Sequence, residues 1–163
     1  MARRTTFKLP GLRTWVENIK NVVSEEAARQ IVTDLKEIGP YWTGEFESAW
    51  VVRSGDVSIA ANRPGKPNPP KFPQPRQLTS VTIPRARGRK SISYTIGNAM
   101  SYRNVALDLE PGRIKGGGNE TAVQDWYAQY IEGGNLRLTL EQTTARVAAD
   151  PRIRGFRGRQ GEE

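Results

Sequence analysis

The chain contains no cysteine and no histidine. Those two absences remove thiol nucleophiles, disulfide frameworks, imidazole bases and the commonest ligands of zinc, iron and copper together. Most catalytic constellations cannot be built from what remains, so a non-enzymatic protein without cofactor or metal is expected. No run of 18 uninterrupted apolar residues occurs, and no membrane-spanning helix is expected. Residues 1–23 open with Arg3 and Arg4 but are interrupted by Glu17, Asn18, Lys20 and Asn21, and do not read as a signal peptide. Apolar residues are also scarce, at 36% against about 45–50% in an average domain. The 16 glycines and 11 prolines among 163 residues point to one domain carrying loops or tails.

What is plentiful is positive charge, unevenly placed. Between Asp56 and Asp108 lie nine cations, Arg63, Lys66, Lys71, Arg76, Arg85, Arg87, Arg89, Lys90 and Arg103, and no acid. With a net charge of +8 for the whole chain, the rest is close to neutral. Cations that merely solvate a surface would be intermixed with acids, so this clustering points to an anionic neighbour.

Apolar residues from Leu12 to Ile38 recur at steps of three and four, which predicts an amphipathic helix ending at Gly39-Pro40. A continuous helix of that length would be about 40 Å long; Ser24 followed by Glu25 and Glu26 could instead cap a second helix and split the run near Val23. Residues 46–52 and 57–61 read as two paired strands joined by a tight turn. Residues 63–75 hold six prolines and read as an extended, mobile loop, because missing backbone donors exclude helix or central strand. Alternation over 78–83 and 91–96 suggests a hairpin with a basic tip at 85–90, its strands completing a small antiparallel sheet under the long helix.

Further on, 102–109 reads as a short helix, 112–119 as a Gly-rich break, and 121–131 as a helix with Val123, Trp126, Tyr127, Tyr130 and Ile131 on one face. Residues 136–140 alternate like a strand while 141–149 favour helix, and both assignments stay open. The Arg- and Gly-rich end, 152–163, has the composition of a disordered tail. The expected layout is an arm at 1–11, one α+β domain at 12–140, and a partly disordered helix and tail at 141–163.

Few groupings suggest chemistry. The glycines of 112–118 surround Lys115 but lack the Gly-Lys-Ser/Thr ending of a phosphate-binding loop. Glu45 and Glu47 would share one face of a strand with no base or metal partner, and read as a solvated face. Trp15, Trp42, Trp50 and Trp126 could stack single-stranded bases, although aromatics at such spacing more often form core or subunit contacts. The basic tip is harder to dismiss. Arg85, Arg87, Arg89 and Lys90 repel one another unless something acidic relieves them, and phosphate backbone, met without sequence readout, or an acidic protein partner would do so.

The segment Pro40-Tyr41-Trp42-Thr43-Gly44-Glu45-Phe46-Glu47-Ser48-Ala49-Trp50 resembles the Pro-x-x-Thr-Gly-x-hydrophobic signature that follows the first helix in the HK97 gp10-like family of tailed-bacteriophage neck and tail-completion proteins. Tyr94-Thr95-Ile96-Gly97-Asn98-Ala99-Met100-Ser101-Tyr102 is similar to that family's strand ending in Ile-Gly-Asn with a Tyr after it. Members usually have Asp where this chain has Trp42, and lack the Arg-rich ending. The resemblance implies a structural virion protein: a ring subunit, commonly six-fold, joining the head connector or stopper to the tail terminator or tube proteins around the DNA channel. It would be assembled in the host cytoplasm and touch packaged double-stranded DNA only transiently. Pro40, Thr43, Gly44, Phe46 and Trp50 would set the strand that builds the subunit contact, with Phe46 beginning its buried face. A tail terminator of the same assembly and a sequence-nonspecific nucleic-acid-binding protein are the alternatives.

Overall fold

The computed structural model describes residues 12–68, 70–72, 74–85, 92–107, 122 and 125–151. The architecture is α+β: a long N-terminal helix packed on a small antiparallel sheet of two strands. Helix α1 (Leu12–Ile38) runs unbroken for 27 residues, so Ser24 lies inside it and starts no second helix. Its buried positions Asn21, Ala28, Val32 and Leu35 fall on one stripe, as steps of three, four and seven require. Gly39 donates to the Leu35 carbonyl at 3.1 Å, and Pro40 then prevents continuation. A Cβ on Gly39 would lie 2.6 Å from that carbonyl oxygen and 3.1 Å from the Trp126 ring, so the helix end admits no larger residue without displacement.

Four expectations about strands are overturned. Residues 45–48 form a single helical turn, α2 (Glu45–Ser48), and only afterwards does strand β1 (Trp50–Ser54) begin. The turn buries Phe46 and Glu47 together, two adjacent residues that a strand would send to opposite faces. Residues 57–61 are no strand: Val57 donates to the Thr95 side chain, and Thr95 donates to the Gly55 carbonyl, so a side chain stands where a ladder would run. Residues 78–83 are likewise no strand, because Thr79 is held by side chains of α1 and α2. The partner of β1 is therefore β2 (Tyr94–Asn98), antiparallel, in a register pairing Trp50 with Asn98 and Ser54 with Tyr94. No basic hairpin is formed by the described part of 78–96; Arg85 is exposed, and Arg87, Arg89 and Lys90 lie outside the described residues.

Three further helices close the unit: α3 (Arg103–Leu107), α4 (Trp126–Glu132) and α5 (Asn135–Ala149). Helix α5 takes in residues 136–140, which resolves the choice there in favour of helix, and it crosses position 140, so 141–149 belong to the packed domain. It lies along α1, yet what it buries is Thr139, Thr143 and Val147 while Leu138 and Leu140 stay exposed. The reason is a polar joint. Asp34 of α1 accepts from the Tyr130 hydroxyl at 2.8 Å and from Thr139 Oγ1 at 2.7 Å, a pairing a leucine could not make. Burial raises the Tyr130 phenol above its ordinary pKa; the Thr139 hydroxyl opposes this and Asp34 adds to it. The core gathers Ala28, Val32, Leu35, Phe46, Trp50, Val52, Met100 and Trp126 between α1, the sheet and α4. The Gly-rich break at 112–119, the arm at 1–11 and the tail at 152–163 lie outside the described residues.

Candidate functional site

The chain leaving α1 turns at Pro40, which is buried. Gly44 sits at φ +79°, and a Cβ there would come within 3.1 Å of the Tyr41 hydroxyl, so both backbone and space favour glycine. Thr43 Oγ1 accepts weakly from the Glu45 N–H at 3.4 Å, and the Ser48 N–H closes the turn on the Gly44 carbonyl at 2.8 Å. Phe46 then points inward, edge-on to Trp50 (5.9 Å) and Trp126 (6.3 Å) and stacked on Tyr102 (6.3 Å). Burial, with the nearby Glu45 carboxylate reinforcing it and Arg63 opposing it, raises the Tyr102 phenol. Phe46 thus belongs to α2 and begins no strand. It and Trp50 are only 6% and 5% exposed, so within the folded chain they pack the core and present no contact surface.

The second half of the sequence signature meets the first. Asn98, 1% exposed, donates through Nδ2 to the Phe46 carbonyl at 2.7 Å and accepts from the Met100 N–H at 3.0 Å. Its amide therefore locks the end of α2 to the chain leaving β2. Both of its polar atoms are satisfied, as burial demands.

Beside this junction lies a buried ion pair that alternation along a strand does not suggest. Lys36 Nζ is 2.9 Å from Glu47 Oε1, with side chains 4% and 2% exposed. Lys36 also donates to the Thr79 carbonyl at 2.6 Å and to its hydroxyl at 2.9 Å, while the Thr79 N–H donates to Glu47 at 2.9 Å. Glu47 is thus no solvated carboxylate but the anchor of a closed network. Such a pair is sustained only because its remaining hydrogen-bonding positions are filled.

That network holds one end of the proline-rich stretch. Along its length the Lys66 N–H donates to Glu45, the Trp42 indole to the Pro70 carbonyl at 2.7 Å, the Gln74 N–H to the Trp42 carbonyl, and the Tyr41 hydroxyl to the Pro75 carbonyl. Arg76 lies over the Tyr41 ring at 5.2 Å and donates to the carbonyls of Lys36, Glu37 and Gly39, groups that a helix end leaves unpaired. The described residues of 63–79 consequently form a strap docked across the C-terminal end of α1. Arg63 donates to the Ser48 carbonyl and Arg103 to those of Ile59 and Asn98. Three of the nine clustered cations thus bond backbone carbonyls; Arg63 and Arg76 nevertheless remain exposed, as do Lys66, Lys71 and Arg85.

Among the described residues no group of three or more Asp or Glu could hold a metal ion, and no helix is long and apolar enough to cross a membrane. Sequence reasoning singled out Pro40, Thr43, Gly44, Phe46 and Trp50, which lie along the turn after α1, α2 and the first residue of β1. It missed Lys36, although that residue stands four after Val32 and eight after Ala28 on the buried stripe. Comparisons of the chain with protein-family models, with curated proteins and with solved structures find no match.

Proposed function

We propose that this chain is a structural subunit of a ring in the neck of a tailed bacteriophage, joining the head connector to the tail around the DNA channel. The observation that carries the reading is the Asn98 bridge: the two sequence segments that resemble the neck family, some fifty residues apart, are joined by a buried amide beside their shared strand pairing. Their residues do structural work, with aromatic packing, a glycine turn and a buried ion pair. A docked strap presenting Lys66 and Lys71, with Arg85 beyond it, suits contact with neighbouring rings or passing phosphates. A tail terminator of the same assembly is the neighbouring reading. The free nucleic-acid-binding reading is weakened by Arg63, Arg76 and Arg103, whose guanidinium groups bond backbone carbonyls.

Removal of the coding sequence from the producing phage tests the proposal. DNA-filled heads and separate, unattached tails are the expected products. Empty heads, or normal particles with defective DNA replication, would overturn it.

A further inference from the structure

Phe72 is the most exposed large apolar side chain among the described residues, at 69%, with Lys71 Nζ 5.6 Å from its ring centre. The Trp42 indole bond to the Pro70 carbonyl and the Gln74 N–H bond to the Trp42 carbonyl fix the strap on both sides of it. Pro64, Pro67, Pro70 and Pro75 are exposed along the same stretch, and Leu78 follows at 49%. Prolines and these bonds already restrict the backbone, so docking here costs little further ordering.

The cations around Phe72 are unbalanced. On α1 and α5, Arg29 pairs with Glu25 and Glu26, Arg146 with Glu26, and Arg137 with Glu141. Arg63, Lys66, Lys71 and Arg76 are all exposed, and among the described residues no carboxylate comes within ion-pair distance of them. None is present in the sequence from 57 to 107. Like charges gathered on one fixed strap repel one another until an anionic surface covers them.

The apolar groups decide which anionic surface fits. A second copy of this chain is a poor complement: Glu25, Glu26, Glu47 and Glu141 are committed to their own cations, and each copy carries a net charge of +8. Nucleic acid answers the charge alone. A duplex backbone offers nothing to Phe72 and Leu78, and a single strand calls for several aromatics on which successive bases stack. Here Tyr41 is buried and the Trp42 indole is bonded to the strap itself. An acidic protein answers both needs, because proline-rich segments dock in grooves lined by aromatic side chains and a fixed aromatic is a natural anchor for such a contact.

We propose that the strap is the docking face for a different protein, whose matching surface sets aromatic side chains among carboxylates. Phe72 is the anchor, the proline rings widen the apolar contact, and Lys66 and Lys71 meet the carboxylates. The surface is defined by the strap alone, whatever assembly the chain enters.

Three labelled probes test this on the full chain by fluorescence anisotropy: a random copolymer of glutamate and tyrosine, poly-glutamate of similar length, and oligo-dT. Physiological salt screens loose polyanion contact. The chain should bind the copolymer at least about tenfold more tightly than poly-glutamate. Phe72→Ala, at a position too exposed to affect folding, should abolish that preference and leave poly-glutamate binding unchanged, whereas Lys66→Ser with Lys71→Ser should weaken both polymers. Equal affinity for the two polymers, copolymer binding that ignores Phe72→Ala or the paired lysine changes, or no copolymer binding at all would each overturn the proposal. So would oligo-dT bound as tightly as the copolymer and weakened by Phe72→Ala, a result that assigns the strap to single-stranded nucleic acid.

Discussion

Replacing Lys36 by Met should be among the most damaging single changes to the described part of the chain. Methionine fills much of the lysine volume, so packing is nearly conserved and the effect isolates charge. What remains is the Glu47 carboxylate, 2% exposed, with Thr79 as its donor and no cation. Removing one partner of a buried pair typically costs about 3–5 kcal/mol. For a chain of this size each kcal/mol moves the midpoint by about 2–4 °C, so a fall of roughly 10 °C follows. The double replacement Lys36→Met/Glu47→Leu should recover part of this, limited by the Thr79 N–H left without its acceptor, at about 1–3 kcal/mol. Urea unfolding followed by tryptophan fluorescence reads both, because Trp50 and Trp126 are buried. A single variant within 1 kcal/mol of the parent, or a double variant that is simply additive, would refute the argument that the pair is a coupled, desolvated unit.

Gly44→Ala should lose about 1–2 kcal/mol from left-handed backbone strain, and crowding of the Tyr41 hydroxyl should loosen the strap; faster tryptic cleavage after Lys71 and Arg76 is the accompanying sign. Trp50→Ala should cost about 3–5 kcal/mol through the cavity it opens. Trp50→Phe should stay within about 1 kcal/mol of the parent in the same urea titration, because it also removes a buried indole N–H that has no hydrogen-bond partner. Stability should fall as pH rises above about 10, where tyrosines of the unfolded chain ionise while Tyr130, its phenol raised by burial, stays protonated in the fold. Below that pH its contribution is fully present. Thermal midpoints between pH 9 and 12 should show the decline, and Tyr130→Phe should make it shallower.

How far the sequence reveals this fold depends on whether the deciding forces are local. Helix α1 was legible because its apolar period and its Gly39-Pro40 stop are both local, and α3 and α4 because their apolar residues repeat at helical steps. The α2 turn was not. Phe46 and Trp50 at a spacing of four sit in an aromatic, β-branched stretch that alternation reads equally well as strand, and the choice is made by Trp126 and Tyr102, far along the chain. Residues 57–61 and 78–83 have strand composition, but Thr95 and Glu47 take their backbone donors through side chains. Helix α5 hides its buried face because that face is threonine, made suitable by Asp34 a hundred residues earlier. Six prolines correctly excluded helix and strand from 63–75; composition does not show that Trp42, Tyr41 and Arg76 would dock the stretch. From sequence the basic segment reads as one surface, whereas Arg63, Arg76 and Arg103 bond carbonyls that only the tertiary fold supplies.

The central proposal is one of place, the joint between head and tail. Gold-labelled antibody raised against it, applied to intact tailed particles from the lysate that produces it, tests that claim most directly. The account predicts label confined to the head-to-tail junction. Particles that carry no label, with the protein recovered free in the lysate, would contradict it.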